Sequence, residues 1–263
     1  MKNNGIVTVI MPSYNTAKYI AESIESIINQ TYPHWELIIV DDCSTDDTDS
    51  VVANYLSDER IRYLKNVKNS GAAISRNYAL REAKGKWVAF LDSDDVWLPE
   101  KLETQIAFML ENDYKFTCTD YRIRLNGTWL PYVYISPKVI TRRKLFNYCY
   151  FSTITVMYDR EFVGLVQIEN LRKNNDYAIW FEITKKTPCY RFPKCLSYYY
   201  KHDDSVSGGS KLKLIKHHYI LYRKGLHKGR LMSVILTANN LVWGVHKKLF
   251  YKEKVANEYV TLR

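Results

Sequence analysis

The chain has 263 residues, 46% hydrophobic and 25% charged, enough to bury a sizeable core as one large domain or as a domain with an appendage. Five cysteines (Cys43, Cys118, Cys149, Cys189 and Cys195) show neither metal-finger spacing nor a C-x-x-C pair, which excludes a zinc module and fits a reducing compartment. The net charge of +10 lies wholly in the tail: residues 211–263 hold twelve Lys or Arg against two acids, whereas residues 1–210 hold 26 of each sign. No nucleic-acid module accompanies this charge, so nucleic acid is not an expected partner.

Met1 to Gly5 run straight into a β-rich segment instead of the apolar core of a signal peptide, so export is not expected. Ile6 to Met11 predicts a first strand, ending at Pro12-Ser13-Tyr14-Asn15. From Ala17 to Gln30 apolar residues recur at helical spacing, at Ile20, Ile24, Ile27 and Ile28. A second strand, Leu37 to Val40, runs into Asp41-Asp42, with Ser44 or Thr45 placed to cap a helix reaching Leu56. Ile61 to Leu64 predicts a short strand, Gly71 to Ala83 a helix, and Trp87 to Leu91 a buried strand that delivers Asp92-Ser93-Asp94-Asp95. Asp95 is expected to cap the helix that Pro99 begins. This alternation predicts an α/β fold, a mostly parallel sheet with helices on both faces.

In open sheets of this type ligands bind beyond the carboxyl ends of the strands, where these acids collect. Gly5, Gly71 and Gly85 are the only glycines before Gly127, and there is neither a G-x-G-x-x-G loop nor a Gly-Lys-Ser/Thr loop to cradle phosphate. A divalent metal is therefore the expected neutraliser of a bound diphosphate, since hard oxygen ligands suit Mg2+ or Mn2+.

Residues 115–200 continue the domain with aromatic strands at Phe116 to Thr119 and Leu196 to Tyr200, and with a loop around Leu130-Pro131-Tyr132. Beyond residue 210, Leu231 to Val245 is mainly apolar between basic clusters; about fifteen residues containing Asn239 and Asn240 fall short of the roughly twenty that cross a membrane. The expected organisation is a catalytic domain over residues 1–210 and a basic amphipathic helical extension over residues 211–263. That extension is expected to lie on an anionic membrane surface, with packing on the catalytic domain and a homodimer contact as its other uses.

In order along residues 6–205, the segments Val9 to Asn15, Val40 to Asp46, Asn69 to Asn77, Asp92-Ser93-Asp94 and Asn175 to Trp180 resemble family 2 glycosyltransferases of the GT-A fold, of the bacterial surface-polysaccharide type. The resemblance implies transfer of a sugar from a UDP-sugar donor. It places Pro12, Tyr14 and Asn15 at the nucleobase and Asp42 in a hydrogen bond with it. An aromatic face and a carboxylate acceptor favour uracil over adenine. The resemblance also implies that Arg76 and Ser93 lie at the nucleotide, that Asp92 contacts ribose or metal, that Asp94 ligates the Mn2+ or Mg2+ bridging the diphosphate, and that His202 stands near the metal. Asp176 is implied as general base, with Asn175 departing from the commoner Glu-Asp pair; one displacement then inverts the anomer. Asp203 to Gly209 has the Ser and Gly content of a flap.

The implied acceptor is a glycan hydroxyl, on a polyprenyl-diphosphate carrier, which suits a cytoplasmic protein held peripherally at the membrane. Two alternatives remain at this point: a nucleotidyltransferase, which would release pyrophosphate in place of UDP, and a catalytically silent assembly partner.

Overall fold

The structure, a computed structural model, describes residues 3–202 and 211–255. The N-terminal half runs β1 (Val7–Ser13), α1 (Ile20–Ile28), β2 (Trp35–Asp41), α2 (Thr48–Ala53), β3 (Ile61–Lys65), α3 (Ala72–Glu82) and β4 (Trp87–Phe90). There follow β5 (Val96–Trp97), α4 (Lys101–Glu111), β6 (Phe116–Leu125), β7 (Thr128–Tyr134), β8 (Val139–Ile140), α5 (Arg142–Asn147), β9 (Val156–Asp159), α6 (Arg160–Val163), α7 (Asn175–Ile183) and β10 (Cys189–Lys201). The C-terminal part is α8 (Lys211–Ile220), α9 (Arg230–Phe250) and β11 (Lys252–Lys254).

The strands form one mixed sheet in the order β11-β7-β6-β9-β4-β1-β2-β3. β3, β2, β1 and β4 are parallel, whereas β9, β6, β7 and β11 alternate in direction beyond β4. Buried on both faces, β1 and β2 read as mainly apolar runs, as central parallel strands do, with Thr8 and Glu36 the paired polar exceptions near their starts. Their side chains alternate between two cores: Ile10, Ile38 and Val40 pack with Leu80 of α3 and Trp180 of α7, while Val9, Met11, Leu37 and Ile39 pack with Ile20, Ile24 and Ile27 of α1 and Leu102 of α4. Helices thus cover both faces, as the sequence predicts.

β1 lies between β2 and β4, so the chain moves to one side of β1 after it and returns on the other. Such a reversal opens a crevice at the carboxyl ends of the strands. It is here that Ser13, Asp42 and Asp92 emerge.

Three local expectations are corrected. Leu130-Pro131-Tyr132 is not a loop but part of β7; it falls where the β6–β7 register shifts between Arg122 and Arg124, a place where proline's missing N–H costs no ladder bond. α2 begins after Asp47 instead of at Ser44 or Thr45, because Asp46 accepts from the Thr48 N–H and hydroxyl while Ser44 is turned to Asp41. Asp95 does not cap α4; its buried carboxylate accepts the Tyr200 N–H at 2.7 Å and fastens the end of β10.

The described residues 211–255 pack against residues 3–202. β11 adds to the sheet against β7, and the wholly buried Asn240 of α9 donates to the Tyr177 and Tyr222 hydroxyls. Asn239 donates to the Phe146 carbonyl and the Asn147 side chain. The boundary at residue 210 therefore marks a change in composition that is not matched by a separation in space. Among the described residues no helix is long and apolar enough to cross a membrane.

Candidate active site

A cavity of about 580 Å³ opens at the carboxyl ends of β1 and β4 and is closed on its far side by α7, α8 and α9. Pro12, Tyr14, Asp42, Arg76, Asp92, Ser93, Asp94 and Asp176 all line it. Eight of the ten expected site residues therefore meet in one place.

On the β1–β2 side, Tyr14 is 47% exposed and offers a free aromatic face beside Pro12. Asp41 is spent locally, accepting the Ser44 N–H at 2.8 Å and the Ser44 hydroxyl. Asp42 accepts from the Ser70 N–H at 2.8 Å, the Gly71 N–H at 2.6 Å and Asn66 at 2.7 Å. It thereby serves as the anion at the start of α3, and its two oxygens keep capacity for one more donor from the cavity. Gly71 takes φ +90°, which lets its amide face Asp42; a side chain there would be strained. Asn15 does not line the cavity. Its side chain accepts the Thr45 N–H at 2.8 Å and its own N–H goes to Ser44, tying the loop after β1 to the loop after β2.

On the β4 side, the buried Arg76 donates one guanidinium nitrogen to Asp92 and another to Asn175. Asp92 thus has a counter-charge, whereas burial and the neighbouring Asp92 push the Asp94 carboxyl up to about 7. Burial and both neighbours raise Asp95 well above the usual carboxylate range. A cluster that resists full ionisation in this way gains from a divalent cation, and Asp92 and Asp94 are hard oxygen donors of the right type. Among the described residues no group of three or more His, Cys, Asp or Glu is placed to hold a metal ion by itself.

Asp176 sits in the first turn of α7, following Asn174 in a left-handed conformation that turns the chain into the helix. The Thr153 hydroxyl donates to its Oδ2 at 2.8 Å, fixing the carboxylate while its other oxygen remains for a proton. Asn175 supplies a neutral acceptor to Arg76, where an acid would have competed with Asp92.

The far wall is built by residues that sequence reasoning missed: Thr153, Arg172, Lys173, His218 and Lys247. His218 is buried, and burial beside His217 lowers its pKa to about 4, so the ring is neutral. Lys247 donates to the Cys149 carbonyl at 3.2 Å. No spacing signal joins these residues, which stand up to 94 positions apart in the chain; the concentration of basic residues after 210 was the only hint. His202 is outside the cavity lining, its ring stacked on Tyr19 with centroids 4.1 Å apart. The Asp203 to Gly209 segment lies outside the described residues.

A nucleotide-sized cavity at the reversal of a parallel sheet, with paired acids on one wall and a positioned carboxylate on the other, defines a GT-A-like glycosyltransferase fold. The profile of glycosyl transferase family 2 matches residues 8–164, more than half of the chain, and the chain belongs to that family. It is 41% identical over 222 residues, covering 83% of this chain and 88% of the relative, to the putative teichuronic acid biosynthesis glycosyltransferase TuaG of Bacillus subtilis. It is also 41% identical over 180 residues, 68% of this chain and 70% of the relative, to WfgD of Escherichia coli, a UDP-Glc:alpha-D-GlcNAc-diphosphoundecaprenol beta-1,3-glucosyltransferase. Among solved structures, S. aureus TarS 1-349 in complex with UDP-GlcNAc shares the fold with a TM-score of 0.69 at 22% identity, over 89% of this chain and 71% of TarS 1-349.

Proposed function

We propose that this glycosyltransferase is inverting and metal-dependent, and that it moves a sugar from a UDP-sugar to a hydroxyl of a lipid-linked glycan in the building of a bacterial surface polysaccharide. The observation that carries this reading is the sharing of one cavity by the Asp92–Asp94 pair and the Thr153-held Asp176. The names of TuaG and WfgD supply the substrate class.

Tyr14 stacks on the uracil face, and the remaining acceptor capacity of Asp42 takes the imide N–H. Asp92 and Asp94 would hold Mn2+ or Mg2+, which would offset charge on the leaving diphosphate. Arg76 pairs with Asp92 and holds it aimed, and through Asn175 it sets the start of α7 relative to β4. Asp176 accepts the proton of the attacking hydroxyl, with Thr153 fixing its orientation. Attack from the side opposite the diphosphate inverts the anomer, so an α-linked donor gives a β-glycoside.

The protein works peripherally at the cytoplasmic face of a membrane. Leu231, Ile235, Val242, Val245 and Leu249 form one face of α9, each 52–76% exposed, with Arg230 and Lys248 at its ends. An apolar face with basic flanks suits an anionic bilayer interface.

Calorimetry with UDP tests the donor site. UDP binds only with Mn2+ or Mg2+ and more tightly than ADP, and Asp94→Ala removes the metal requirement together with most of the affinity. Equal, metal-independent binding of UDP and ADP contradicts the reading.

A further inference from the structure

We infer that the C-terminal wall of the cavity, formed by Arg172, Lys173, His218 and Lys247, is the subsite for the diphosphate of the acceptor, a sugar carried on a lipid diphosphate. The inference rests on the glycosyltransferase reading above and assigns its second substrate a place.

The cavity is electrically two-sided. The acids Asp42, Asp92 and Asp94 collect at the strand ends, where the one arginine, Arg76, is committed to Asp92 and Asn175. Arg172, Lys173 and Lys247 line the same cavity, and among the described residues none of them has a carboxylate within ion-pair distance. Lys247 is partly buried, with its ammonium 5.3 Å from the centre of the Tyr148 ring and, among the described residues, one hydrogen bond, on a carbonyl. An ammonium withdrawn from water without an anion is costly, and a bound phosphate oxygen restores the balance. Burial already lowers the Lys247 pKa to about 8. His218 adds a neutral donor: its Nδ1 stands 3.4 Å from the Asn174 amide nitrogen and accepts from it, which leaves the hydrogen on Nε2.

Position selects the acceptor over the donor. Asp176 shares the cavity with these residues, Asn174 two positions before it meets His218 at 3.4 Å, and Lys247 touches the Cys149 carbonyl. An acceptor whose hydroxyl reaches Asp176 carries its anomeric diphosphate one sugar ring away, within this basic wall. The donor diphosphate is matched instead by the Asp92–Asp94 pair and its cation.

The test is calorimetric titration of the full chain with decyl diphosphate after the donor site has been saturated with UDP and Mn2+. The wild type binds it, and Lys247→Met and Lys173→Ala each weaken binding about tenfold or more while leaving UDP affinity unchanged; Lys247→Arg restores it. Lys173→Ala, at a partly exposed position, keeps the test valid if the Lys247→Met chain does not fold. Decyl diphosphate binding that is absent, or equal in wild type and variants, overturns the subsite. A parallel fall in UDP affinity overturns it too, by giving these cations to the donor. Loss of metal-dependent UDP binding in the wild type, before any lipid is added, is the separate failure of the glycosyltransferase reading.

Discussion

Arg76 and Asn175 are 99 residues apart in the chain and share a buried hydrogen bond, while the same guanidinium is paired with Asp92. One side chain of α3 thus spans the cavity floor from the end of β4 to the start of α7, setting the acid pair and Asp176 in a fixed relation. A lysine has no planar fork with which to hold both partners.

Arg76→Lys should therefore keep the charge beside Asp92 and lose the link to Asn175. The expected result is a modest stability loss, about 1–2 kcal/mol in urea unfolding, with a much larger fall in kcat than in donor affinity. Asn175→Leu should reproduce the kcat effect by leaving Arg76 half-satisfied. If both variants turn over at the wild-type rate, Arg76 is only a structural ion pair.

The Thr153 hydroxyl is the sole recorded partner of the Asp176 carboxylate among the described residues. Thr153→Val should lower kcat by about tenfold with the KM for donor unchanged, and Thr153→Ser should restore it. Loss of donor binding in Thr153→Val would instead place this pair in nucleotide recognition.

Lys101 is fully buried, donates to Gln105 at 2.8 Å and lies 4.1 Å from the centre of the Trp97 ring. Burial lowers its pKa to about 7 from 10.5. Between these values the unfolded chain holds a proton that the folded chain lacks, so stability rises with pH from about 7 to 10.5 and is flat below. Lys101→Met should remove this slope and be stabilising near pH 7 by a few kcal/mol, with the advantage shrinking towards pH 10. Thermal unfolding at pH 7 and pH 9.5 reads the difference; a pH-independent offset would mean that the lysine is not depressed.

Val242 and Val245 of α9 are 69% and 61% exposed and touch no core cluster. Val242→Glu with Val245→Glu should leave folding intact and abolish co-sedimentation with phosphatidylglycerol vesicles, while wild-type binding weakens as salt rises. Unchanged sedimentation contradicts the membrane face, and a wild-type dimer that the double variant breaks gives the same face to self-association.

The sheet and the strand-end side of the cavity are legible because β1, β2 and β4 are buried on both faces, so each reads as a mainly apolar run that ends in polar residues. Leu130-Pro131-Tyr132 reads as a loop because Pro131 is a strand breaker in general, and only its place within the β7 bulge, where three residues face the single Ile123, makes proline harmless there. Asp95 looked like a helix cap because nothing local reveals that Tyr200, 105 residues away, needs an acceptor. The far wall was illegible for the same reason: Thr153 meets Asp176, and Lys247 meets Cys149, through long-range packing that leaves no periodic trace. Asn239 and Asn240 were visible as interruptions of an apolar run, but their work in fastening α9 to α5 and α7 shows only in three dimensions.

The most direct measurement is UDP release from a panel of UDP-sugars with Mn2+ and a lipid-diphosphate sugar acceptor, for wild type, Asp94→Ala and Asp176→Asn. The expected result is turnover of one donor to a β-linked product, lost in Asp94→Ala with metal-dependent UDP binding, and cut by about 10²–10⁴ in Asp176→Asn with UDP binding retained. Wild-type rates in Asp176→Asn, or a product of retained anomeric configuration, would contradict it.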